Sequence, residues 1–281
     1  MTHLCLGGGS IRGFCFLGAL HYLVSSGKLK KVEKFHGCSI GSIIGILLIA
    51  NKTPLEIFQD LLEINLAEYW NPDIKRLIKN YSLVGSEVFD FWKEYLARYM
   101  KDNITIKEFN KEYSTDINII SVCLDTKKTV IFNETDFPDL PVITAIIASA
   151  SIPFLFPPCK INDCYYIDGS AKCLSGCLDE TITPETLVIK MGSSEEKLKI
   201  NDLKDYALAI MRTLTTPYEG KTNDYTLSIK VTGDMANKYN FNDLTVSDKT
   251  NMFLTGLKQS ENYFKDITFP ADEKENSIPE Q

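Results

Sequence analysis

The sequence predicts an α/β fold with a largely parallel sheet, chiefly because of the order of elements in its first fifty residues. Leu4–Leu6 is a short apolar run that stops at glycines, which is typical of a buried strand. Phe14–Val24 is apolar on nearly all sides, as a buried helix would be. The same succession follows, with Lys34–Cys38 as strand and Ile40–Ala50 as helix. Strands that alternate with helices in this way indicate parallel pairing through helical crossovers.

A helical insertion is expected between two parts of this sheet. Thr53 and Pro54 suit a helix start, because threonine caps a helix and proline fits its first turn. Residues 55–113 continue with helical periodicity, and strands resume at Ile117–Leu124. We therefore expect the helices of this insertion either to pack in the hydrophobic core or to line a pocket above the sheet.

Later segments complete a single domain. The further predicted strands are Thr129–Asn133, Tyr165–Asp168, Thr186–Met191 and Tyr225–Val231, and the further predicted helices are Val142–Ala150, Leu203–Leu214 and Ser247–Phe264. Because no repeat or interdomain linker interrupts the chain, one domain is expected over residues 1–270. The polar tail 271–281 has no apolar period and is expected to be disordered.

Charge and composition limit the class of partner. The 281 residues carry a formal net charge of −7, which argues against nucleic acid because phosphate binding needs clustered positive charge. Contact with a lipid surface would have to rest on local apolar side chains or on a basic patch such as Lys28–Lys34. A solvated helix end is the favoured interpretation of that patch. The apolar run 140–156 contains Pro153 and predicts a buried helix followed by extended chain, not a membrane span.

Eight cysteines occur without a secretion-signal pattern before them. The expectation is therefore reduced thiols and a cytoplasmic, non-secreted protein, with peripheral association with membranes left open. The gaps between Cys159, Cys164, Cys173 and Cys177 do not match the short paired spacing of zinc sites, so no metal is expected.

Gly37-Cys38-Ser39-Ile40-Gly41 fits GxSxG, the nucleophile elbow. Small residues at Gly37 and Gly41 allow a strand and a helix to approach around a strained turn that exposes the Ser39 hydroxyl. By itself the pattern is weak, since roughly one chain in ten of this size would show it by chance. Its position between a predicted strand and an apolar helix strengthens the interpretation.

A serine nucleophile needs a base, and histidine is a poor candidate here. His3, His21 and His36 are the only histidines, and all precede Ser39. An α/β hydrolase has the order Ser, acid, His along its chain, which is impossible in this sequence. A histidine-first order stays formally open, but it belongs to β-barrels that the fold signals do not suit. His36 lies on the strand leading to Ser39, so its ring should not reach the hydroxyl.

Asp168 is the candidate base. It ends the aromatic strand Tyr165–Ile167 and precedes Gly169, which is where α/β sheets place their sites. A desolvated carboxylate within hydrogen-bond reach can accept the serine proton. The alternative is an Asx-type turn residue at the strand end, and the bare sequence favours that alternative.

A glycine-rich loop, Gly7–Gly13, follows the first predicted strand and opens a helix. Its backbone N–H groups suit an anion, either a phosphate or a developing oxyanion. A dinucleotide fingerprint is the competing interpretation, but its spacing fails by one residue and no acidic residue clearly ends a second strand.

Together these stretches resemble the patatin-like phospholipase family. The likeness covers roughly residues 4–265, and its most specific stretches are Leu4–Phe14, Gly37–Ser42, Ala148–Pro153, Phe156–Pro158 and Tyr166–Gly169. The resemblance implies a three-layer α/β/α sandwich with a mainly parallel central sheet and a catalytic dyad without histidine. It makes Ser39 the nucleophile and Asp168 the general base.

The same resemblance implies an oxyanion hole in the glycine loop. The backbone N–H groups that would form it belong to Gly8, Gly9 and Ser10, and Arg12 would fix the loop. Two departures affect this assignment: Ser10 stands where the family has its third glycine, and Ser170 stands after the Asp-Gly pair where Gly or Ala is usual. The second departure bears on the pocket wall and on substrate preference.

The expected activity is that of a lipid acyl hydrolase, of phospholipase or lysophospholipase type, working through an acyl-enzyme at a membrane or droplet surface. The resemblance implies a phospholipid or neutral-lipid substrate and no cofactor. The rival from another class is a catalytically silent lipid-binding protein that retains the fold. A nucleotide-binding enzyme built on the glycine loop is the least favoured interpretation.

Overall fold

The computed structural model describes residues 1–69, 71–173, 181–192, 222–232 and 244–269, together with residues 176, 178, 200, 206 and 210. Its strands are β1 (His3–Leu6), β2 (Lys34–Cys38), β3 (Asp116–Cys123), β4 (Lys128–Phe132), β5 (Cys159–Ile161), β6 (Cys164–Asp168), β7 (Thr186–Met191) and β8 (Thr226–Ile229). Its α-helices are α1 (Gly13–Ser25), α2 (Ile40–Ile49), α3 (Pro54–Glu63), α4 (Ile74–Asn80), α5 (Glu87–Leu96), α6 (Ile106–Tyr113), α7 (Val142–Ala150) and α8 (Val246–Phe264).

These strands form one mixed sheet in the order β5-β6-β3-β2-β1-β7-β8, with β4 paired to β3 outside that path. Five neighbouring strands, β3, β2, β1, β7 and β8, run parallel to one another, while β4, β5 and β6 add antiparallel pairs. Helices flank the sheet, so the predicted three-layer α/β/α sandwich is confirmed. The sheet is parallel where the sequence shows alternating strands and helices, and antiparallel where consecutive strands follow short turns.

The predicted helical insertion is confirmed between β2 and β3, and it contains α3 to α6. Two of its helices start with reciprocal caps: Thr53 caps Glu56 at α3, and Thr105 caps Glu108 at α6. Each threonine hydroxyl accepts from a backbone N–H of the first turn, while the glutamate accepts from the threonine N–H. The predicted helix at residues 203–214 and the tail 271–281 lie outside the described residues.

None of the helices in the described ranges is both long enough and apolar enough to cross a membrane. The apolar run 140–156 contains α7, as the sequence predicts, but the expected extended chain after it is wrong. The Leu155 and Phe156 N–H groups both donate to the Ile152 carbonyl, so this segment forms a turn.

The cysteines only partly follow expectation. Cys15, Cys38, Cys123, Cys159, Cys164 and Cys173 carry free thiols. The expectation of reduced thiols throughout is wrong at Cys5, which is disulfide-bonded. Cys5 is fully buried in the central strand β1. Spacing along the sequence does not reveal such a bond, because its geometry depends on contacts between distant segments.

Two buried histidines cross-link neighbouring strands at the amino-terminal part of the sheet. His3 Nε2 lies 3.1 Å from His36 Nδ1, and His3 Nδ1 lies 2.8 Å from the hydroxyl of Thr186. Burial, aided by Lys34, lowers the pKa of His3 to about 4. Burial, His3 and Lys34 together lower the pKa of His36 to about 3. Both rings are therefore neutral in the folded protein at physiological pH.

We expect this pair to make the fold sensitive to acid. As pH falls from about 6.5 to about 4, the unfolded chain binds protons that the folded chain cannot, so stability falls with pH. Two such protons make the free energy of unfolding fall by up to about 2.7 kcal/mol for each unit that the pH falls. Urea titrations at several pH values should show a shallower slope for the double variant His3→Leu/His36→Leu. His21→Leu, half-buried on α1, is the control, and an unchanged slope in the double variant would contradict the assignment.

Candidate active site

The sheet register brings Ser39 and Asp168 together. Cys38, the last residue of β2, pairs with Ile120 of β3. Asp168, the last residue of β6, pairs with Ser121, one position further along β3. The residue that follows Cys38 therefore lies beside the end of β6, and two side chains 129 positions apart become neighbours.

Ser39 occupies the strained turn that the GxSxG pattern predicts. Its backbone has φ 54° and ψ −129°, a left-handed conformation that costs free energy in a residue with a side chain. A Cβ at Gly41 would lie 2.5 Å from the Gly7 carbonyl oxygen, and one at Gly37 would lie 2.8 Å from the Ser42 Cα. Both glycines are therefore required by the close approach of strand, loop and helix around the serine.

Gly41→Ala tests this close approach. The added methyl would meet the backbone carbonyls of Gly7 and Leu6, which cannot move without displacing the glycine loop. We expect the free energy of unfolding to fall by about 3 kcal/mol, at the upper end of overpacking effects. Gly192→Ala is the matched control, because its Cβ would first meet the side-chain Cγ of Lys230, at 3.1 Å. Urea denaturation of both variants measures the difference, and equal stability would contradict the steric argument.

Two further serines hold the turn in place. The Ser149 hydroxyl accepts from the Ser39 N–H at 2.9 Å and donates to the Ile120 carbonyl at 2.6 Å. The Ser42 hydroxyl donates to the Ser39 carbonyl at 2.6 Å. Ser149 lies in the Ala148–Pro153 stretch, which the sequence singles out by resemblance, but its contact with the elbow was not foreseen. Small polar residues on an otherwise apolar helix are the signal that could have revealed it.

Asp168 faces Ser39 and uses its two oxygens differently. Oδ2 accepts the Ser39 hydroxyl at 2.5 Å, and Oδ1 accepts the Ser170 backbone N–H at 2.7 Å. Asp168 therefore makes both the contact expected of a base, with Ser39, and the contact expected of an Asx-type turn residue, with the Ser170 N–H. Asp168 is buried, and this burial raises its pKa above 3.8 although hydrogen bonds from Ser39 and Ser170 favour the charged form. A desolvated carboxylate with a raised pKa is a stronger proton acceptor than an exposed one.

Cys38 adds a contact that the sequence did not predict. Its sulfur lies 3.9 Å from Asp168 Oδ1 and 3.4 Å from the Ser170 hydroxyl. Complete burial and the nearby Asp168 charge raise the pKa of the Cys38 thiol well above 9.0. The thiol therefore stays protonated and acts as a weak donor to the carboxylate.

The predicted exclusion of histidine agrees with the geometry. His36 bonds to His3 on the strands below the elbow, whereas the Ser39 hydroxyl donates to Asp168. His21 packs against Phe253, with ring centroids 5.8 Å apart.

The glycine loop lies directly against the serine. A Cβ built on Gly8 would be 3.6 Å from the Ser39 Cβ and 1.9 Å from the Ser170 hydroxyl, so a side chain there would have to displace that hydroxyl. Arg12 Nε donates to the Gly9 carbonyl at 3.3 Å, which ties the loop to the start of α1. Ser10 has φ 51°, a left-handed conformation that glycine adopts more readily than serine.

An apolar cleft opens beside Ser39. The residues lining it are Ser10, Ile11, Gly13, Phe14, Leu17, Ser39, Ile40, Ile43, Ile44, Leu61, Val88, Phe89, Trp92, Ala150, Ile152 and Phe156. Leu61, Val88, Phe89 and Trp92 come from the insertion, so its helices line a pocket as well as packing in the core.

Two groups of side chains within the described part of the chain carry metal-type ligands close together. In the first, His3, Cys5 and His36, the cysteine is disulfide-bonded and the histidines bond to each other. In the second, Cys123, Asp125 and Cys164, the ligand atoms lie within 4.8 Å of one another. Neither group includes Ser39 or Asp168.

A model of the patatin-like phospholipase family matches residues 4–172, which include the glycine loop, the elbow and Asp168. This match covers more than half of the chain. The chain belongs to the patatin-like phospholipase family. A probable lipid hydrolase of Invertebrate iridescent virus 6 is 33% identical to this family member over 174 residues, which cover 59% of this chain and 58% of the viral protein. An uncharacterized protein of Acanthamoeba polyphaga mimivirus is 24% identical and aligns over 92% of both chains.

Solved structures show the same patatin-like fold. The type III effector ExoU superimposes with a TM-score of 0.52 at 16% identity, covering 94% of this chain and 52% of ExoU. In the complex of ExoU with SpcU from Pseudomonas aeruginosa, the TM-score is 0.55 at 14% identity, covering 94% of this chain and 51% of the other. The chain thus spans about half the length of ExoU.

Proposed function

We propose that this patatin-like protein is a lipid acyl hydrolase in which Ser39 is the nucleophile and Asp168 the general base. The observation that carries the proposal is the 2.5 Å hydrogen bond from the Ser39 hydroxyl to Asp168 Oδ2, made beside an apolar cleft. Membership of the family and the relative named as a probable lipid hydrolase support a lipid substrate. The substrate class is a phospholipid or neutral lipid presented by a membrane or droplet.

The reaction proceeds in two steps. In the first, Asp168 accepts the hydroxyl proton while Ser39 Oγ bonds to the ester carbonyl carbon. The tetrahedral intermediate then expels the alcohol, which takes the proton from Asp168 and leaves an acyl-enzyme. In the second, water gives a proton to Asp168 and attacks the acyl carbon. Collapse releases the fatty acid and returns the proton to Ser39.

The glycine loop supplies the stabilisation that this chemistry needs. Negative charge on the carbonyl oxygen develops beside Gly8, which lies next to Ser39. In the proposal, the backbone N–H groups of Gly8, Gly9 and Ser10 receive that charge, and Arg12 holds the loop through the Gly9 carbonyl. Donors of this kind each contribute about a hundredfold or more to turnover.

The cleft gives the acyl chain a place to bind. Apolar side chains from the insertion and from α1, α2 and α7 surround it, so a hydrocarbon chain would be removed from water there. Each methylene buried contributes about 0.8 kcal/mol. The ester carbonyl would then lie at Ser39, where the cleft meets the elbow.

The test is to identify the products released from a mixed lipid extract. We expect free fatty acid and the matching lysophospholipid or partial glyceride, identified by mass spectrometry. Protein pretreated with a fluorophosphonate is the blank, and peptide mapping should locate the label at Ser39. An intact extract together with an unlabelled Ser39 would overturn the proposal and favour the silent lipid-binding protein.

A further inference from the structure

Helix α4 is unusual because none of its residues is buried. Ile78 is 81% exposed, and Ile74, one turn earlier, is 49% exposed. Tyr81, which ends the helix, is 68% exposed. Positions 74, 78 and 81 lie on one side of a helix, so these side chains form an apolar stripe that faces water. Leu77 packs against the core and holds the helix in place.

Positive charge flanks this stripe. Lys75, Arg76 and Lys79 all lie on α4, against one acidic residue, Asp73, at its N-cap. Arg76 pairs with Glu87 at 3.3 Å. The side-chain ammonium groups of Lys75 and Lys79 form no ion pair within 4.0 Å among the described residues. A local excess of cations is notable in a protein with a net charge of −7.

The stripe is connected to the cleft by backbone pairing. Ser82, which follows Tyr81, pairs with Phe154, and the Leu83 N–H donates to the Phe154 carbonyl at 2.8 Å. Phe154 is 53% exposed and has φ 64°, a conformation that is costly for a bulky residue. Its near neighbours Ile152 and Phe156 line the cleft. An exposed phenylalanine therefore lies between the apolar stripe and the cleft wall.

We propose that α4, Tyr81 and Phe154 form a docking surface for an anionic phospholipid bilayer. This inference rests on the proposed lipid substrate. The exposed apolar side chains would enter the interface, and Lys75 and Lys79 would meet the anionic headgroups. Without a local cationic patch, an acidic protein would be repelled from such a membrane.

The Lys28–Lys34 patch, which the sequence also offers for membrane contact, lies elsewhere. It precedes β2, at the amino-terminal ends of the parallel strands, whereas the glycine loop and Ser39 lie at the carboxyl ends. Lys30 and Lys31 are exposed there. They provide a matched control, because reversing their charge changes the net charge by as much as reversing Lys75 and Lys79.

The experiment measures sedimentation with sucrose-loaded vesicles, in a Ser39→Ala background so that no lipid is consumed. Vesicles of pure phosphatidylcholine are compared with equal parts of phosphatidylcholine and phosphatidylserine. We expect clear binding to the anionic vesicles only. Ile78→Asp should weaken that binding about tenfold, and Lys75→Glu/Lys79→Glu at least about 25-fold, since each surface cation contributes about fivefold. Circular dichroism checks that the variants fold.

Lys30→Glu/Lys31→Glu should retain binding to anionic vesicles. The proposal is overturned if the parent protein binds neither vesicle, or if the Lys30/Lys31 variant loses as much binding as the α4 variant. Because binding is measured without hydrolysis, its failure is distinct from the absence of ester cleavage by the wild-type protein.

Discussion

Asp168→Asn is expected to reduce ester hydrolysis by about 10³-fold or more while making the protein more stable. Asparagine has nearly the same shape as aspartate. Its amide oxygen can still accept the Ser170 N–H, and its NH₂ group can donate to the Ser39 hydroxyl. It cannot take a proton from Ser39, so the nucleophile loses its base.

The gain in stability follows from the sign of the pKa shift. Burial raises the pKa of Asp168, which means that the folded state binds the proton more tightly than the unfolded chain. This contribution favours folding below the unfolded pKa and is lost as pH rises through the folded one. At neutral pH the buried charge therefore costs stability, and we expect the asparagine replacement to add about 1 kcal/mol, as active-site replacements often do. Thermal melting and ester hydrolysis on the same samples measure both effects.

Asp60 is a matched control, because its pKa is shifted in the opposite direction from that of Asp168. Burial alone would raise the pKa of Asp60, but hydrogen bonds from Lys52, Tyr95 and Tyr99 outweigh it and lower that pKa. Its carboxylate therefore stabilises the fold above the unfolded pKa, and Asp60→Asn should lower the melting temperature. A lower melting temperature for Asp168→Asn, or near-normal hydrolysis, would contradict the assignment of Asp168. In the wild type, the acid limb of kcat/KM should lie above pH 3.8.

Local sequence pattern predicted the parts of this site that depend on neighbouring residues. The strand, sharp turn and helix around Ser39 follow from apolar runs and from Gly37 and Gly41. These two glycines lie two positions before and after Ser39, where the turn has no room for a side chain. Asp168 was a candidate because of its place at a strand end, but the bare sequence favoured a turn residue there, and only the resemblance to the patatin-like family made it the base. Its contact with Ser39 required the β2–β3–β6 register, which no local pattern specifies.

What the sequence left open depends on contacts between distant segments. Ser149 reaches the Ser39 N–H from a helix 110 positions away, and Cys38 reaches Asp168 across 130 positions. The His3–His36 contact likewise arises only when β1 lies beside β2. The apolar helices of the insertion could have been core or pocket wall, and side-chain placement decided that they are both.

Ser39→Ala is expected to abolish ester hydrolysis, with a loss on the order of 10⁴-fold or more, because no acyl-enzyme can form. The fold should survive, since the hydroxyl donates only to Asp168 and the Ser39 backbone bonds are kept. The measurement is turnover of a short-chain ester together with thermal melting. Full activity in Ser39→Ala would end the assignment of the nucleophile.

Ser39→Gly is the informative companion variant. Both replacements lack the nucleophile, but glycine adopts φ 54° without the steric cost that alanine retains. We therefore expect Ser39→Gly to be more stable than Ser39→Ala by about 1 kcal/mol or more, the usual strain of such a conformation. Equal melting temperatures would show that the elbow relaxes once the serine is gone. A more stable glycine variant would show that the sheet and α2 impose the turn whichever residue occupies it.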